Sequence, residues 1–189
     1  MPLFLIIAWI SSVLLTDAKD VEVAGTFENF IEDVIGTFQL TSPTVVFHED
    51  TPKICFTWTW ILCLKDVQEQ NELTTHLQTI HQTRKQDGIL FIGKDNKKIL
   101  MQLVMNVPSI FTSACPVFMP IEYVDLIDLR LDSNIIFFES KTPTGYNLVD
   151  IFAVKGQTPI TLELGEWDLE NGIILHMSMN RWDRRRDLK

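Results

Sequence analysis

Phe27, Phe30, Ile31, Val34, Ile35 and Phe38 recur at i, i+3, i+4, i+7, i+8 and i+11, with Glu28, Asn29, Glu32 and Asp33 between them. The spacing predicts an amphipathic helix, ended by Ser42-Pro43. A β-branched run from Thr44 to His48 predicts a short strand. Ile54 to Leu64 is apolar apart from Thr57 and Thr59 and reads equally as buried strand or buried helix. Val67 to Arg84 carries Leu73, Leu77, Ile80 and Arg84 on one stripe and predicts a second helix. Gly88-Ile-Leu-Phe-Ile-Gly93 predicts a strand buried on both faces, and Lys97 to Met105 a third helix stopped before Pro108.

Beyond about residue 105 the pattern changes. Asn134 to Glu139, Tyr146 to Val154 and Ile160 to Leu164 predict strands. Leu129 and Leu131 alternate with Asp128, Arg130 and Asp132, which on a strand gives one apolar and one charged face. Helices alternating with buried strands predict an α/β domain whose sheet is mostly parallel and flanked by helices, with extra C-terminal strands on its edge or in a layer beside it.

The first residues have a different character. From Leu3 to Leu15 the chain is apolar except for Ser11 and Ser12, and Thr16-Asp17-Ala18 offers small residues for cleavage. The run has the length of a signal peptide's apolar region and is short of the roughly 20 residues a bilayer requires. Residues 1–18 are therefore expected to be a signal peptide and 19–178 a single extracellular α/β domain. Residues 179–189, with five bases and two acids from Arg181 onward, read as a linker. Ile99 to Ile121 is long and apolar, but Pro108, Pro116 and Pro120 interrupt it, so no membrane span is expected after the leader.

The chain has 25 acidic and 16 basic residues, a net charge of −9. Loss of Asp17 with the leader leaves 24 acids against 16 bases, or −8. That balance argues against an extended nucleic-acid surface. Cys55, Cys63 and Cys115 are the three cysteines, and in an oxidising compartment one disulfide is expected among them. Cys55 and Cys63 can pair only if the chain turns between them, and residues 56–62 contain no turn former. Pairing of either with Cys115 is equally open.

Catalytic and ligand motifs are few. Gly88 to Lys94 follows the spacing of a phosphate loop, but Ile-Leu-Phe-Ile between the glycines is a core strand, and Asp95 stands where a metal-binding hydroxyl belongs. His76 and His81 lie five apart on the second predicted helix, on different faces. His48-Glu49-Asp50 follows a strand, where α/β proteins commonly place ligand contacts; a general base is one reading of it and a polar loop the default. Glu122, Asp125, Asp128 and Asp132 match no calcium loop and read as a solvated face. No enzyme, cofactor or metal site is expected.

Several longer strings carry a resemblance. Pro108-Ser-Ile-Phe-Thr-Ser113, Pro116-Val-Phe-Met-Pro120, Arg130-Leu-Asp-Ser-Asn-Ile-Ile-Phe-Phe-Glu139, Phe152-Ala-Val-Lys-Gly156 and Met179-Asn-Arg-Trp-Asp-Arg-Arg-Arg-Asp-Leu188 together resemble the amino-terminal region of arthropod variant ionotropic receptors, the chemosensory branch of the ionotropic glutamate receptors. Arg84-Lys-Gln-Asp-Gly88 and the strand after it look similar to that group as well. Leu164-Gly-Glu-Trp-Asp-Leu-Glu-Asn-Gly-Ile173 is similar to the closing strand and turn of glutamate-receptor amino-terminal domains, with the strand ending at Gly165 and Asn171-Gly172 as the turn.

The resemblance implies one lobe of a periplasmic-binding-protein-like domain, secreted or on the extracellular side of the plasma membrane. It implies an assembly or interaction module whose partners are receptor subunits of the same family, with no channel activity alone. In that family the ligand-binding domain and pore follow where this sequence stops, at Lys189. The chain is therefore expected to be either part of a receptor or a secreted lobe. Trp58, Trp60 and Trp167 are the candidate interface residues, with core packing as their alternative. A small-molecule ligand is not expected of a single lobe. The other functional class is a secreted stand-alone binding protein for a small apolar ligand. It would require a pocket of several hundred Å³ with a few convergent polar groups, for which Ile99 to Ile121 offers an apolar lining.

Overall fold

The computed structural model describes residues 27–47, 54–57, 62–65, 75, 88–91, 96–112, 116–142 and 144–177. The leader, the 179–189 linker, His48-Glu49-Asp50, Trp58, Trp60, most of the 67–84 helix with His76 and His81, and Cys115 lie outside them.

Among the described residues eight strands form one sheet: β1 (Thr44–Phe47), β2 (Leu62–Lys65), β3 (Ile89–Phe91), β4 (Val117–Pro120), β5 (Ile135–Thr142), β6 (Gly145–Phe152), β7 (Ile160–Asp168) and β8 (Gly172–Leu175). Their order is β2-β1-β3-β4-β5-β6-β7-β8. The first five strands in that order pair parallel. The last three join antiparallel through hairpins. The sheet as a whole is thus mixed, and the extra C-terminal strands extend its edge rather than forming a second layer. No described helix is long and apolar enough to cross a membrane.

Among the described residues the sheet is accompanied by the α-helical segments α1 (27–37), the single turn α2 (Ile54–Thr57) and α3 (Lys97–Asn106), and by 3₁₀ segments at Pro108–Thr112 and Ile121–Leu126. Side-chain alternation along the strands sorts the core into two layers. Val45, Phe118, Ile136, Phe138, Leu148, Leu164 and Trp167 pack with Phe30, Ile31, Val34 and Ile35 of α1. Their neighbours Val46, Val117, Met119, Ile135, Phe137, Val149 and Ile151 pack on the opposite face with Ile99, Leu100 and Leu103 of α3. Burial on both faces explains why β4 and the first half of β5 are continuously apolar. The second half of β5, Glu139 to Thr142, runs past the helical layers and is exposed.

Helix α1 stops earlier than Ser42-Pro43. Gln39 takes a left-handed conformation (φ 52°), and the Leu40 N–H donates to the Ile35 carbonyl at 2.9 Å. This i→i−5 bond closes the helix C-terminus, and Leu40 and Ile35 share the same apolar cluster. The segment at 128–132 is likewise a turn and not a strand. The Ser133 hydroxyl accepts from the Arg130 N–H at 2.9 Å, and Leu131 is left exposed. Local closure by the buried Ser133 overrides the alternating pattern. The third departure is at Gly165, where β7 continues to Asp168. The turn follows at 169–171, and Gly172 (φ 66°) starts β8. The Asp168 carboxylate accepts from the Glu170 and Asn171 N–H groups at 2.9 and 2.8 Å and so holds the turn closed.

Cys55 and Cys63 form a disulfide with Cα atoms 5.8 Å apart. No turn former is required because Ile54–Thr57 is itself a helical turn, which advances only about 1.5 Å per residue where a strand advances about 3.3 Å. The bond ties this turn to edge strand β2. Closing a loop of 8 residues removes unfolded-chain entropy equivalent to about 2.5 kcal/mol. Peptide mapping without reductant is expected to return a Cys55–Cys63 linked pair. Reduction is expected to lower stability by that order in urea unfolding, and a linkage through Cys115 would contradict the pairing.

Candidate functional site

A cavity of about 420 Å³ opens where β4 and β5 leave the packed layers. Among the described residues it is lined by Phe27, Pro120, Ile121, Glu122, Phe138, Glu139, Ser140 and Tyr146. Pro120 is the last residue of β4, and Phe138 to Ser140 lie where β5 passes from buried to exposed. The cavity therefore sits at the carboxyl ends of parallel strands, the end of an α/β sheet where ligand sites concentrate.

Each wall has a local cause. Phe27 is the first described residue of α1, which lies over β5 and β6 because its stripe buries Phe30 and Val34. Phe138 points to the same face as Ile136, two residues before it. Tyr146 stands opposite Ser140 on one side and Trp167 on the other, two residues after the tight turn into β6. The three rings meet with centroids 6.0 Å (Phe27–Phe138), 5.8 Å (Phe27–Tyr146) and 6.0 Å (Phe138–Tyr146) apart. They are inclined to one another by 55°, 63° and 84°. Behind them, Phe30 and Trp167 complete an aromatic cluster. Burial raises the Tyr146 hydroxyl above its ordinary pKa of 10.0, so it stays protonated at neutral pH.

The polar groups come from the strand end and the 3₁₀ turn Ile121–Leu126. Glu122 and Glu139 are exposed at the rim, and neither forms an ion pair among the described residues. The Ser140 hydroxyl donates to the Thr142 carbonyl at 3.1 Å. Beyond the rim, Lys141 and Glu166 pair across the sheet at 2.7 Å. That contact holds the Glu166 carboxyl below its usual range.

A second polar cluster joins β1 to α3. Asn96, fully buried, donates from its side-chain amide to the Val46 carbonyl at 3.1 Å and from its backbone N–H to the Tyr123 hydroxyl at 3.1 Å. This fixes the start of α3 against the end of β1, next to the point where the strand order reverses. The bonds link elements of the fold and serve structure.

Of the sequence-predicted site residues, the structure brings Cys55 and Cys63 together. Trp167 is 1% exposed, and its indole N–H donates to the Asp33 carboxylate of α1 at 2.7 Å. Its surface is buried among Phe30, Tyr146 and their neighbours, and it has none to offer a partner. Among the described residues of the stretch 99–121, Pro120 and Ile121 alone line the cavity, because Ile99, Leu100, Leu103, Ile110 and Phe111 fill the α3-side core. Glu122, read as part of a solvated face, lies at the cavity rim. Among the described residues no group of three His, Cys, Asp or Glu is placed to hold a metal ion.

No protein-family model matches the chain, and comparison with curated proteins and with solved structures finds no match.

Proposed function

We propose that this chain is the extracellular amino-terminal region of a receptor of the variant ionotropic class. It acts as an assembly module with no channel or enzymatic activity of its own, and it enters the secretory pathway on the leader at residues 1–18. The observation that carries the reading is the set of receptor-like strings between Pro108 and Leu188. A parallel half ordered 2-1-3-4-5, with helices against both faces, supports a single periplasmic-binding-protein-like lobe. The Cys55–Cys63 disulfide fits an oxidising compartment.

The β8 edge supplies the contact surface. Leu169, Ile174 and Met177 are exposed there, and among the described residues β8 has a neighbour on one side only. Co-expression of the tagged chain with a full-length receptor of that class from the same organism is expected to give co-precipitation. An Ile174→Lys/Met177→Lys variant that unfolds at the wild-type temperature is expected to lose it. Absence of capture by the wild type, or equal capture by the variant, removes the assembly reading.

The cavity favours a second reading, a secreted binding protein for a small ligand with an apolar body. Its volume of about 420 Å³, mainly aromatic and apolar lining and few polar groups are what such a site requires.

A further inference from the structure

The cavity's chemistry selects among small ligands. Three inclined aromatic rings border it, and their π faces carry negative potential. Two carboxylates, Glu122 and Glu139, stand at its rim without cationic partners among the described residues. No Lys or Arg appears among the described lining residues. The whole chain carries a net charge of −9. Every one of these features attracts a positive charge and repels a carboxylate.

We propose that this cavity binds an organic cation, an ammonium group on a small apolar body. Phe27, Phe138 and Tyr146 pack against the body, and Glu122 and Glu139 flank the charge. The inference rests on the binding reading of the cavity and is independent of assembly at β8. It assigns a role to Glu122 and Glu139 that packing does not require, since both side chains are exposed and neither supports a described hydrogen bond or ion pair. An anionic amino acid such as glutamate is the wrong ligand for this surface. Its side-chain and α-carboxylates would meet two rim carboxylates and no cation.

Calorimetric titration of the disulfide-intact chain with 2-phenylethylammonium and with its neutral isostere 2-phenylethanol tests this at low ionic strength. The ammonium is expected to bind roughly tenfold more tightly, the size of one desolvated cation–π contact or a close ion pair at the surface. Glutamate is expected to give no heat of binding. A Glu122→Gln/Glu139→Gln variant keeps the shape of the rim. It is expected to bring the ammonium-to-alcohol ratio close to one while leaving 2-phenylethanol binding unchanged. Equal binding of both probes by the wild type would overturn the cation inference and leave a binding site for apolar ligands. Failure of both probes would overturn the binding reading as well. Tight ammonium binding retained by the double variant would place the cation elsewhere and overturn the assignment.

Discussion

Replacing Trp167 by alanine is expected to cost about 3 to 5 kcal/mol of folding stability. The side chain is the largest of the fully buried ones, at 1% exposure. It lies between Phe30 of α1, with ring centroids 5.5 Å apart, and Tyr146 of β6 at 5.6 Å. Truncation leaves a void between a helix and the middle of an antiparallel sheet, where neither side can close without losing its own packing.

Three further variants separate the apolar and polar parts of the effect. Trp167→Phe keeps most of the ring surface but removes the N–H that donates to Asp33 at 2.7 Å. A hydrogen bond to a carboxylate is worth about 1.5 to 3 kcal/mol, so this variant is expected to fall between wild type and Trp167→Ala. Asp33→Asn retains an acceptor oxygen and is expected to cost less than Asp33→Ala, which leaves a buried indole N–H without its partner. Urea unfolding followed by far-UV circular dichroism measures all four. A cost below about 1 kcal/mol for Trp167→Ala would contradict its place in the core and would return Trp167 to the candidates for an interface.

Trp167 also marks where the sequence was legible and where it was not. Local periodicity located α1, β1, β3, α3 and β5 to β7 to within a few residues, because burial on one or both faces imposes spacings of 3.6 or 2 on the apolar positions. It failed where a hydrogen bond closes the chain locally. Gln39 ends α1 in a left-handed conformation that no glycine announces, and Ser133 turns the 128–132 segment that alternation read as a strand. The cysteine arithmetic stopped at three equal pairings because Ile54 to Leu64 hides a helical turn followed by a strand. The cavity was not legible at all. Phe27, Phe138 and Tyr146 each satisfy the pattern of their own element, and separations of 111 and 119 residues from Phe27 to the other two carry no local signal. Only the crossing of α1 over β5 and β6 brings them together. Glu122 looked like any exposed acid, and what distinguishes it is the strand end beside it.

The second large effect concerns a residue without a side chain. Gly165 lies within β7, opposite Leu148 on one side and Leu175 on the other. The β6–β7 register slips beside it, from Leu148↔Gly165 to Val149↔Glu163, so Leu164 is the extra residue of a bulge. The Leu164 carbonyl accepts from the His176 N–H at 2.8 Å and the Met177 N–H at 3.3 Å, which draws the end of β8 across the bulge. A Cβ added at Gly165 would clash with the Ile174 carbonyl oxygen and fall 3.0 Å from the Leu175 Cα. Both are backbone atoms and cannot swing aside as a side-chain tip would. Gly165→Ala is therefore expected to push β8 off β7 and to cost about 3 kcal/mol, the upper range for overpacking.

Gly36, exposed on α1 with nothing within 4 Å of its added Cβ, is the control. Alanine there removes unfolded-chain freedom within a helix and is expected to stabilise by about 0.5 to 1 kcal/mol. Hydrogen exchange distinguishes the two sites. In Gly165→Ala the His176 and Met177 amides lose protection while the amides of Ile99 to Leu103 in α3 keep it. In Gly36→Ala protection is unchanged or higher throughout. If the receptor-assembly reading is right, Gly165→Ala also abolishes capture of the receptor chain, because it removes the edge that carries Ile174 and Met177. Organic-cation binding at the cavity, on the far side of β6 from β8, survives it. A Gly165→Ala protein with wild-type stability and intact amide protection would show that the backbone approach at Ile174 is not the constraint that reserves this position for glycine.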